Sequence, residues 1–179
     1  MINILPLEIE GVYLLKNFTA VDDRGCFVKT FNESAFEKYK LQTNFKESYY
    51  STSKKDVIRG MHFQLPPDEH EKLVYVTNGT ILDVVLDIRK NSPTYGKHIS
   101  VSLTEGSDSI YIPKGCAHGF LALTDNATVI YNVSTTYKPE SDSGILWNSF
   151  GFDWLGTEQP VISGRDQEFA TFQAFKTPF

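Results

Sequence analysis

Cysteine is scarce in this sequence, because its 179 residues include only Cys26 and Cys116. Small proteins that depend on disulfide bonds carry several cysteines at close spacing. Two isolated thiols in a chain of this size are typical of reduced residues that pack inside the fold. The sequence therefore argues against a disulfide framework.

Positive charge is also limited: 17 lysine and arginine residues stand against 22 acidic ones, which gives a net charge of -5. Proteins that bind nucleic acid usually present an extended basic surface. The charge balance excludes a nucleic acid partner. It is compatible with a small phosphorylated ligand held by a few local cations.

Long hydrophobic runs are missing as well. No segment approaches the roughly 20 apolar residues that cross a membrane. The first residues, Met1-Ile2-Asn3-Ile4-Leu5-Pro6, show no basic stretch followed by an apolar one. We therefore expect a cytoplasmic protein with no membrane partner.

Short runs rich in valine, isoleucine, threonine, tyrosine and phenylalanine recur along the chain, and turn residues separate them. Such a series predicts an all-β sandwich, barrel or jelly roll. With 41% hydrophobic residues and no repeat or linker, we expect one domain spanning 1–179. The predicted strands are 11–18, 26–31, 45–51, 57–64, 72–77, 80–88, 98–103, 109–112, 119–123 and 128–137.

Local signals add detail to this strand pattern. Asn78-Gly79 lies between two apolar runs, and this dipeptide is typical of a two-residue turn, which predicts a β-hairpin over 72–88. Helices are expected only at the periphery: one over 33–40 with Asn32 as N-cap, and one over 164–175 with Ser163 as N-cap.

Two of the four histidines lie in compact motifs. The first motif is Arg59-Gly60-Met61-His62-Phe63-Gln64, and the second contains Pro113-x-Gly115-x-x-His118. An imidazole beside a guanidinium suits proton chemistry on an anionic substrate. Because both motifs read as strand, we expect the two histidines to share one pocket.

The two motifs resemble the halves of the cupin signature, but the first half departs from it. Metal-binding cupins carry His-x-His, whereas Gln64 stands at the second position here and is a poor ligand. A three-histidine site would need His70 or Glu69 to move in. We therefore expect no metal and no cofactor.

Seven ordered motifs extend the resemblance over about residues 10–170 and are similar to the dTDP-4-dehydrorhamnose 3,5-epimerase family. The resemblance implies a cupin-like double-stranded β-helix (jelly roll) with a few short peripheral helices, a homodimer and no cofactor. It also implies inversion of carbon 3, carbon 5 or both in a nucleotide-linked 4-keto-6-deoxy sugar. The motifs are Asp23-Arg24-Gly25-x-Phe27, Val57 to Gln64, Lys72-Leu73-Val74, Asp83-Val84-x-x-Asp87-Ile88-Arg89, Ser92-Pro93-Thr94-Tyr95-Gly96, Ile112 to Phe120 and Ser163-x-x-Asp166.

Hydrogens next to a ketone are weak acids, so an epimerase needs a base, a group that stabilises the enolate oxygen, and an acid on the opposite face. The resemblance assigns the base to His62, its orienting carboxylate to Asp166, the enolate stabiliser to Lys72 and the acid to Tyr131. Structural alternatives remain for each: a core histidine, a helix-capping aspartate, a strand-start lysine and a core aromatic.

The resemblance also assigns substrate-binding residues, and several of them depart from the family pattern. Lys29 replaces an acid, Glu47-Ser48-Tyr49 replaces Gln-Asp-Asn, Asn132 replaces a lysine, and Arg165 replaces a lysine. These changes favour another nucleotide, such as CDP or GDP, or inversion at a single carbon. The assigned binding residues are Arg24, Phe27, Lys29, Glu47, Tyr49, Arg59, Gln64, His118, Asp142 and Arg165.

Other functions of the same fold stay open on these residues. A 4-keto-sugar ketoisomerase needs the same first proton abstraction but returns the proton elsewhere. A non-catalytic binding protein for sugar nucleotides would need only the pocket. A metal-dependent oxygenase is disfavoured by Gln64.

Overall fold

The computed structural model describes residues 2–157 and 159–179. Its elements, in chain order, are β1 (Asn3–Pro6), β2 (Tyr13–Lys16), β3 (Phe18–Asp22), β4 (Gly25–Lys29), α1 (Glu33–Lys38), β5 (Glu47–Ser53), β6 (Ile58–Gln64), β7 (Lys72–Asn78), β8 (Thr80–Asp87), β9 (His98–Thr104), β10 (Ser109–Ile112), β11 (Cys116–Ala122), β12 (Ala127–Val133), β13 (Asp142–Gly144) and α2 (Gly164–Gln167).

The strands form two antiparallel sheets that pack face to face, and the predicted all-β jelly roll is confirmed. One sheet has the order β1-β2-β10-β7-β12-β5, and the other has the order β13-β6-β11-β8-β9. Strands β3 and β4 pair only with each other and form a separate two-stranded arm. No helix among the described residues is long and apolar enough to cross a membrane.

The core lies in layers that follow the alternation of side chains along each strand. Val74 and Val76 of β7 meet Ile81 and Val85 of β8 between the sheets. On the opposite face of β8, residues such as Leu82 and Leu86 belong to a second cluster with the aromatic C-terminal segment. Strand β8 is therefore buried on both faces, which explains its nearly continuous apolar sequence.

The predicted hairpin over 72–88 is wrong. Strand β7 pairs with β10 and β12, whereas β8 pairs with β11 and β9, so the two strands lie in different sheets. The Asn78-Gly79 turn carries the chain from one sheet to the other. Gly79 has a φ of 78° there, and a Cβ at this position would lie 2.4 Å from Thr124 Oγ1.

The second predicted helix is too long, although both predicted N-caps, Asn32 and Ser163, are confirmed. Helix α2 ends at Gln167, because backbone groups after it bond elsewhere. Ala170 O accepts from Leu146 N–H, and Phe172 N–H donates to Ser149 Oγ.

Two strands went unpredicted, and a third was divided differently. Strands β1 and β13 are short, and the predicted strand 11–18 splits into β2 and the start of β3. Of the two thiols, Cys116 packs in the core as expected, and burial raises its pKa to about 12. Cys26 is exposed on β4, so its predicted packing role is wrong.

Candidate active site

Side chains from both sheets meet at one end of the space between them. Strands β6 and β11 of one sheet bring His62 and His118 together as paired residues in the ladder. Strands β7, β12 and β5 of the other sheet carry Lys72, Tyr131 and Tyr49. All five line one cavity, so the prediction that the two histidines share a pocket is confirmed.

The cavity has two parts, and Tyr49, His62 and Lys72 line both of them. The smaller part, of about 180 Å³, is also lined by Ser51, Arg59, His118, Phe120 and Tyr131. The larger part, of about 340 Å³, is also lined by Glu47, Phe63, Gln64, His70, Val133, Tyr137, Asp142 and Arg165. Seven predicted site residues besides the shared three therefore line this space.

His62, which is partly buried, pairs with the buried Asp166. Asp166 Oδ2 lies 2.9 Å from His62 Nε2 and accepts the Gly60 N–H at 3.1 Å. Asp166 also occupies the first turn of α2, where its own N–H donates to Ser163 Oγ. The helix therefore fixes the backbone of Asp166, while the carboxylate of Asp166 contacts the imidazole and does not cap the helix.

Burial and the neighbouring groups together set the protonation of this pair. Burial lowers the pKa of His62 below its ordinary 6.5, with Lys72 and Arg165 adding to the effect and Asp166 opposing it. Burial acts to raise the pKa of Asp166, but its contacts with His62 Nε2 and the Gly60 N–H outweigh it and bring that pKa to about 2. At neutral pH the structure therefore holds a neutral imidazole beside a carboxylate, as a general base requires.

Lys72 is a buried ammonium that lies next to the imidazole. Only 5% of the residue is exposed, and Nζ donates to the His62 carbonyl oxygen at 3.1 Å. Burial lowers the pKa of Lys72 to about 8, although the carboxylates of Asp83 and Asp142 oppose the shift. The side chain points into the cavity, unlike an ordinary lysine at the start of a strand.

Tyr131 presents a phenol to the same cavity. Its ring stacks on Tyr49, with centroids 4.9 Å apart, and meets the edge of His118. The hydroxyl lies 3.4 Å from Ser51 Oγ. Burial is the largest cause that raises the pKa of Tyr131, so the phenol keeps its proton over the physiological range and can donate it.

A second histidine and carboxylate pair was missed from the sequence. His118 Nε2 lies 2.7 Å from Asp83 Oδ2, and both side chains are buried. Asp83 lies in the apolar run of β8, where an isolated acid gives no local signal of its partner. The only available signal was that a buried carboxylate needs a hydrogen bond or a counter-charge.

Several predicted binding residues lie at the larger part of the cavity and are already engaged. Gln64 donates to Asp68 O at 2.8 Å and accepts from Lys138 N–H at 2.7 Å. Glu47 accepts from Tyr137 N–H, and Asp142 forms an ion pair with Arg165. In the smaller part, Arg59 donates to Ser53 Oγ at 2.9 Å.

Three predicted binding residues lie away from the cavity, on the β3–β4 arm. Arg24 is exposed and pairs with Asp22, Phe27 is 58% exposed, and Lys29 is exposed and faces α1. The structure of one chain does not bring them to the other site residues. The reason is that the arm projects from the two packed sheets and pairs with neither.

The residues near Gln64 do not assemble a metal centre in the part of the chain that the structure describes, where no three histidine, cysteine, aspartate or glutamate side chains meet. His70 Nδ1 lies 3.2 Å from Thr135 Oγ1, and burial lowers the pKa of His70 to about 3. The expectation that the protein uses no metal or cofactor stays a prediction.

A jelly roll whose cavity holds a neutral imidazole, a buried ammonium and a protonated phenol has the groups that enzymes use to move protons on carbon. Comparison with known proteins gives the family within this class of enzymes. The family model for dTDP-4-dehydrorhamnose 3,5-epimerase matches residues 6–174. The chain belongs to the dTDP-4-dehydrorhamnose 3,5-epimerase family, and its predicted identity as an isomerase is confirmed.

Individual relatives agree over nearly the whole chain. The dTDP-4-dehydrorhamnose 3,5-epimerase of Escherichia coli strain K12 is 41% identical over 173 residues, which span 94% of each chain. The enzyme of that name from Methanothermobacter thermautotrophicus is 42% identical over 170 residues, 92% of this chain and 91% of its own.

Solved structures show the same fold. The 3,5-epimerase of Legionella pneumophila, in complex with dTDP-4-keto-L-rhamnose, superposes with a TM-score of 0.93 at 31% identity, covering 98% of this chain and 95% of its own. A 3'-monoepimerase from Streptomyces bikiniensis, in complex with dTDP-quinovose, gives a TM-score of 0.88 at 29% identity, covering 93% and 86%.

Proposed function

We propose that this protein, acting as a single domain, inverts carbon 3, carbon 5 or both in a nucleotide-linked 4-keto-6-deoxyhexose. The observation that carries the proposal is the arrangement of the His62–Asp166 pair, Lys72 and Tyr131 around one cavity. A base, a cation and an acid are the three groups that the reaction needs.

The first step is removal of the hydrogen next to the ketone. His62 takes the proton, the C–H electron pair becomes a carbon–carbon double bond, and the ketone oxygen becomes an enolate. The Asp166 carboxylate stabilises the imidazolium that forms. The Lys72 ammonium stabilises the enolate oxygen, whose developing negative charge it meets in a buried site.

The second step returns a proton to the other face of the same carbon. Tyr131 donates its phenolic proton and the enolate returns to the ketone. The phenolate is then protonated again from solvent, and the His62 imidazolium releases its proton to solvent. Because the proton arrives from the face opposite to its departure, the carbon is inverted. Repetition at the other flanking carbon gives the double epimerisation.

We propose that Arg59 and Arg165 hold the diphosphate, since a guanidinium binds phosphate through two parallel hydrogen bonds. His118, Gln64, Glu47, Tyr49 and Asp142 line the same cavity and complete the contacts of one chain.

The remaining binding residues support a homodimer as part of the proposal. Arg24, Phe27 and Lys29 lie on the β3–β4 arm, away from the cavity of their own chain, and Phe27 is an exposed aromatic residue. In a dimer, the arm of one subunit would bring these residues to the cavity of the other. Light scattering on the 20.3 kDa protomer tests the assembly.

The nucleotide is tested by competition between dTDP, CDP and GDP. The two relatives compared by sequence carry dTDP in their names, and the two solved structures hold dTDP-sugars. In this chain, however, Lys29, Glu47 and Tyr49 change the charge and shape of the predicted binding set. A clear preference for dTDP would remove the hypothesis of another nucleotide. A cytoplasmic location and a role in deoxysugar biosynthesis, for example for a lipopolysaccharide O-antigen, belong to the same proposal.

The function is tested in heavy water with dTDP- and CDP-linked 4-keto-6-deoxyglucose, with proton NMR used to detect deuterium and inversion. We expect deuterium and inverted configuration at carbon 3, carbon 5 or both. The Tyr131→Phe variant is the matched control: it should still exchange hydrogen through His62, but with much less inversion. A product whose carbonyl has moved to carbon 3 would identify a ketoisomerase and contradict the proposal.

A further inference from the structure

The guanidinium of Arg165 touches three functional groups at once. Nε donates to Asp166 Oδ1 at 3.2 Å, Nη2 lies 2.8 Å from His62 Nε2, and Nη1 forms an ion pair with Asp142. The guanidinium also lies over the ring of Phe169, 5.4 Å from its centroid. Arg165 therefore contacts the proposed base directly, on the nitrogen that also faces Asp166.

These contacts require opposite protonation of the same nitrogen. A guanidinium has only donors, so its contact requires a lone pair on His62 Nε2. The carboxylate of Asp166 has only acceptors, so its contact at 2.9 Å requires a hydrogen on Nε2. A neutral imidazole meets one requirement or the other, and burial favours the neutral form of His62.

The choice between the two tautomers decides whether His62 acts as a base. Nε2 is enclosed by Asp166 and Arg165, whereas Nδ1 makes no hydrogen bond to the residues that the structure describes. Nδ1 is therefore the nitrogen available to the substrate. It has a lone pair only when the hydrogen is on Nε2, which is the tautomer that Asp166 favours and Arg165 opposes.

We propose that Arg165 is a positioning residue that holds His62 in the Nδ1–H tautomer in the free enzyme and releases it when a diphosphate binds. This inference rests on the proposed function, because it takes the diphosphate of the substrate as the ligand. The side chain of Arg165 is 52% exposed and lines the larger part of the cavity, so an incoming anion can reach it.

Release follows from the competition of anions for one guanidinium. A diphosphate offers bidentate acceptors and more negative charge than Asp142 alone, so it draws the guanidinium away from Nε2. Nδ1 then loses its proton to solvent and Nε2 gains one, which donates to Asp166. The base is thus activated only while substrate occupies the site.

Lysine at this position is the matched control. An ammonium keeps the charge but has a single nitrogen, so it cannot reach Asp142, Asp166 and His62 Nε2 at the same time. In Arg165→Lys we therefore expect Nε2 to carry the hydrogen and to donate it to Asp166 even without ligand.

The test is the tautomer of His62, read from the nitrogen NMR shifts of ¹⁵N-labelled imidazoles at a pH where His62 is neutral. The His62→Asn variant assigns the His62 signals among those of the four histidines. In the wild type we expect Nδ1 to carry the hydrogen without ligand, and Nε2 to carry it with saturating dTDP or inorganic pyrophosphate. In Arg165→Lys we expect Nε2 to carry it in both conditions.

Three results would overturn the inference. The first is an Nε2–H tautomer in the free wild type, and the second is a persistent Nδ1–H tautomer in Arg165→Lys. The third is failure of both dTDP and pyrophosphate to bind or to change the tautomer, which would overturn release by a diphosphate. The tautomer is measured without turnover. A result that overturns this inference is therefore distinct from failure of the epimerase assay, which alone decides the proposed function.

Discussion

At the scale of single residues, the carboxylate of Asp166 stabilises the proposed base through charge as well as position. Asparagine at 166 keeps the shape and can still accept the Gly60 N–H, but it brings no negative charge to the imidazolium. We expect Asp166→Asn to lower kcat by about 10²- to 10⁴-fold, the range of general acid–base catalysis, with little change in KM.

The assay is steady-state kinetics with the nucleotide sugar that the wild type prefers, and thermal unfolding controls for the fold. If kcat stayed near the wild-type value in a folded Asp166→Asn protein, Asp166 would be only a structural residue at the start of α2.

The proposed role of Lys72 predicts a limit to the activity at high pH. Its pKa is about 8 because the ammonium is buried, and only the charged form stabilises an enolate. Activity should therefore fall as pH rises through about 8. At the acidic end, activity should fall as His62 becomes protonated, at a pH below its ordinary 6.5.

The Lys72→Arg variant separates the alkaline limb of the pH profile from the acidic limb, because a guanidinium keeps its charge throughout this range. The profile of kcat against pH should lose its fall near 8 and keep the acidic limb, at a lower maximum. Persistence of the alkaline limb in Lys72→Arg would assign it to another group.

The residues of the site differ in how far the sequence predicts them. His62 and Lys72 lie in ordered motifs, and the family resemblance also assigns Tyr131, so resemblance locates all three. Asp83 lies in an ordered motif too, but nothing in the motif indicates its partner, because His118 is 35 residues away and only folding brings them together. The contact of Arg165 with His62 depends on side-chain geometry that no motif encodes.

At the scale of elements, Gly79 shows what the turn between β7 and β8 requires. Gly79→Ala would place a Cβ 2.4 Å from Thr124 Oγ1 and force alanine to a φ of 78°. Gly151→Ala imposes a similar φ of 82°, but its Cβ would have no heavy atom within 4 Å. The pair therefore separates backbone strain from a steric clash.

We expect Gly151→Ala to lower the free energy of unfolding by about 1 kcal/mol, the cost of a left-handed conformation for alanine. Gly79→Ala should cost about 1–3 kcal/mol more, because overpacking adds to the strain. Urea unfolding followed by circular dichroism measures both. Equal losses in the two variants would show that the contact with Thr124 relaxes freely.

The same turn shows why strands are easier to predict than their partners. Asn78-Gly79 correctly marks a change of direction, but it carries no information about which strands the flanking segments pair with. Pairing is decided by β10, β12, β11 and β9, which follow later in the chain. Helix α2 is similar, since tertiary hydrogen bonds at Ala170 and Phe172 end it earlier than its sequence suggests.

At the scale of the whole molecule, the β3–β4 arm predicts that two chains share each site. Three residues that the family resemblance assigns to substrate binding lie on this arm, outside the cavity of their own chain. The sequence locates these residues but not the cavity that they would line, because a single chain folds without bringing them to its own.

Subunit mixing tests this sharing directly. One variant, His62→Asn, loses the base but keeps a normal arm, and the other, Arg24→Ala with Phe27→Ala, keeps the base but loses the arm contacts. Each should be nearly inactive alone. If the arm serves the other subunit, a mixed dimer contains one site with both an intact base and an intact arm.

Random reassociation of equal amounts should then restore about a quarter of all sites, because half of the dimers are mixed and each has one complete site. Light scattering before and after mixing confirms that the assembly is dimeric, and unfolding and refolding the variants together allows exchange. If each arm served its own chain, the mixed dimers would contain no complete site. Activity after mixing would then stay at the level of the separate variants, and the shared site would be excluded.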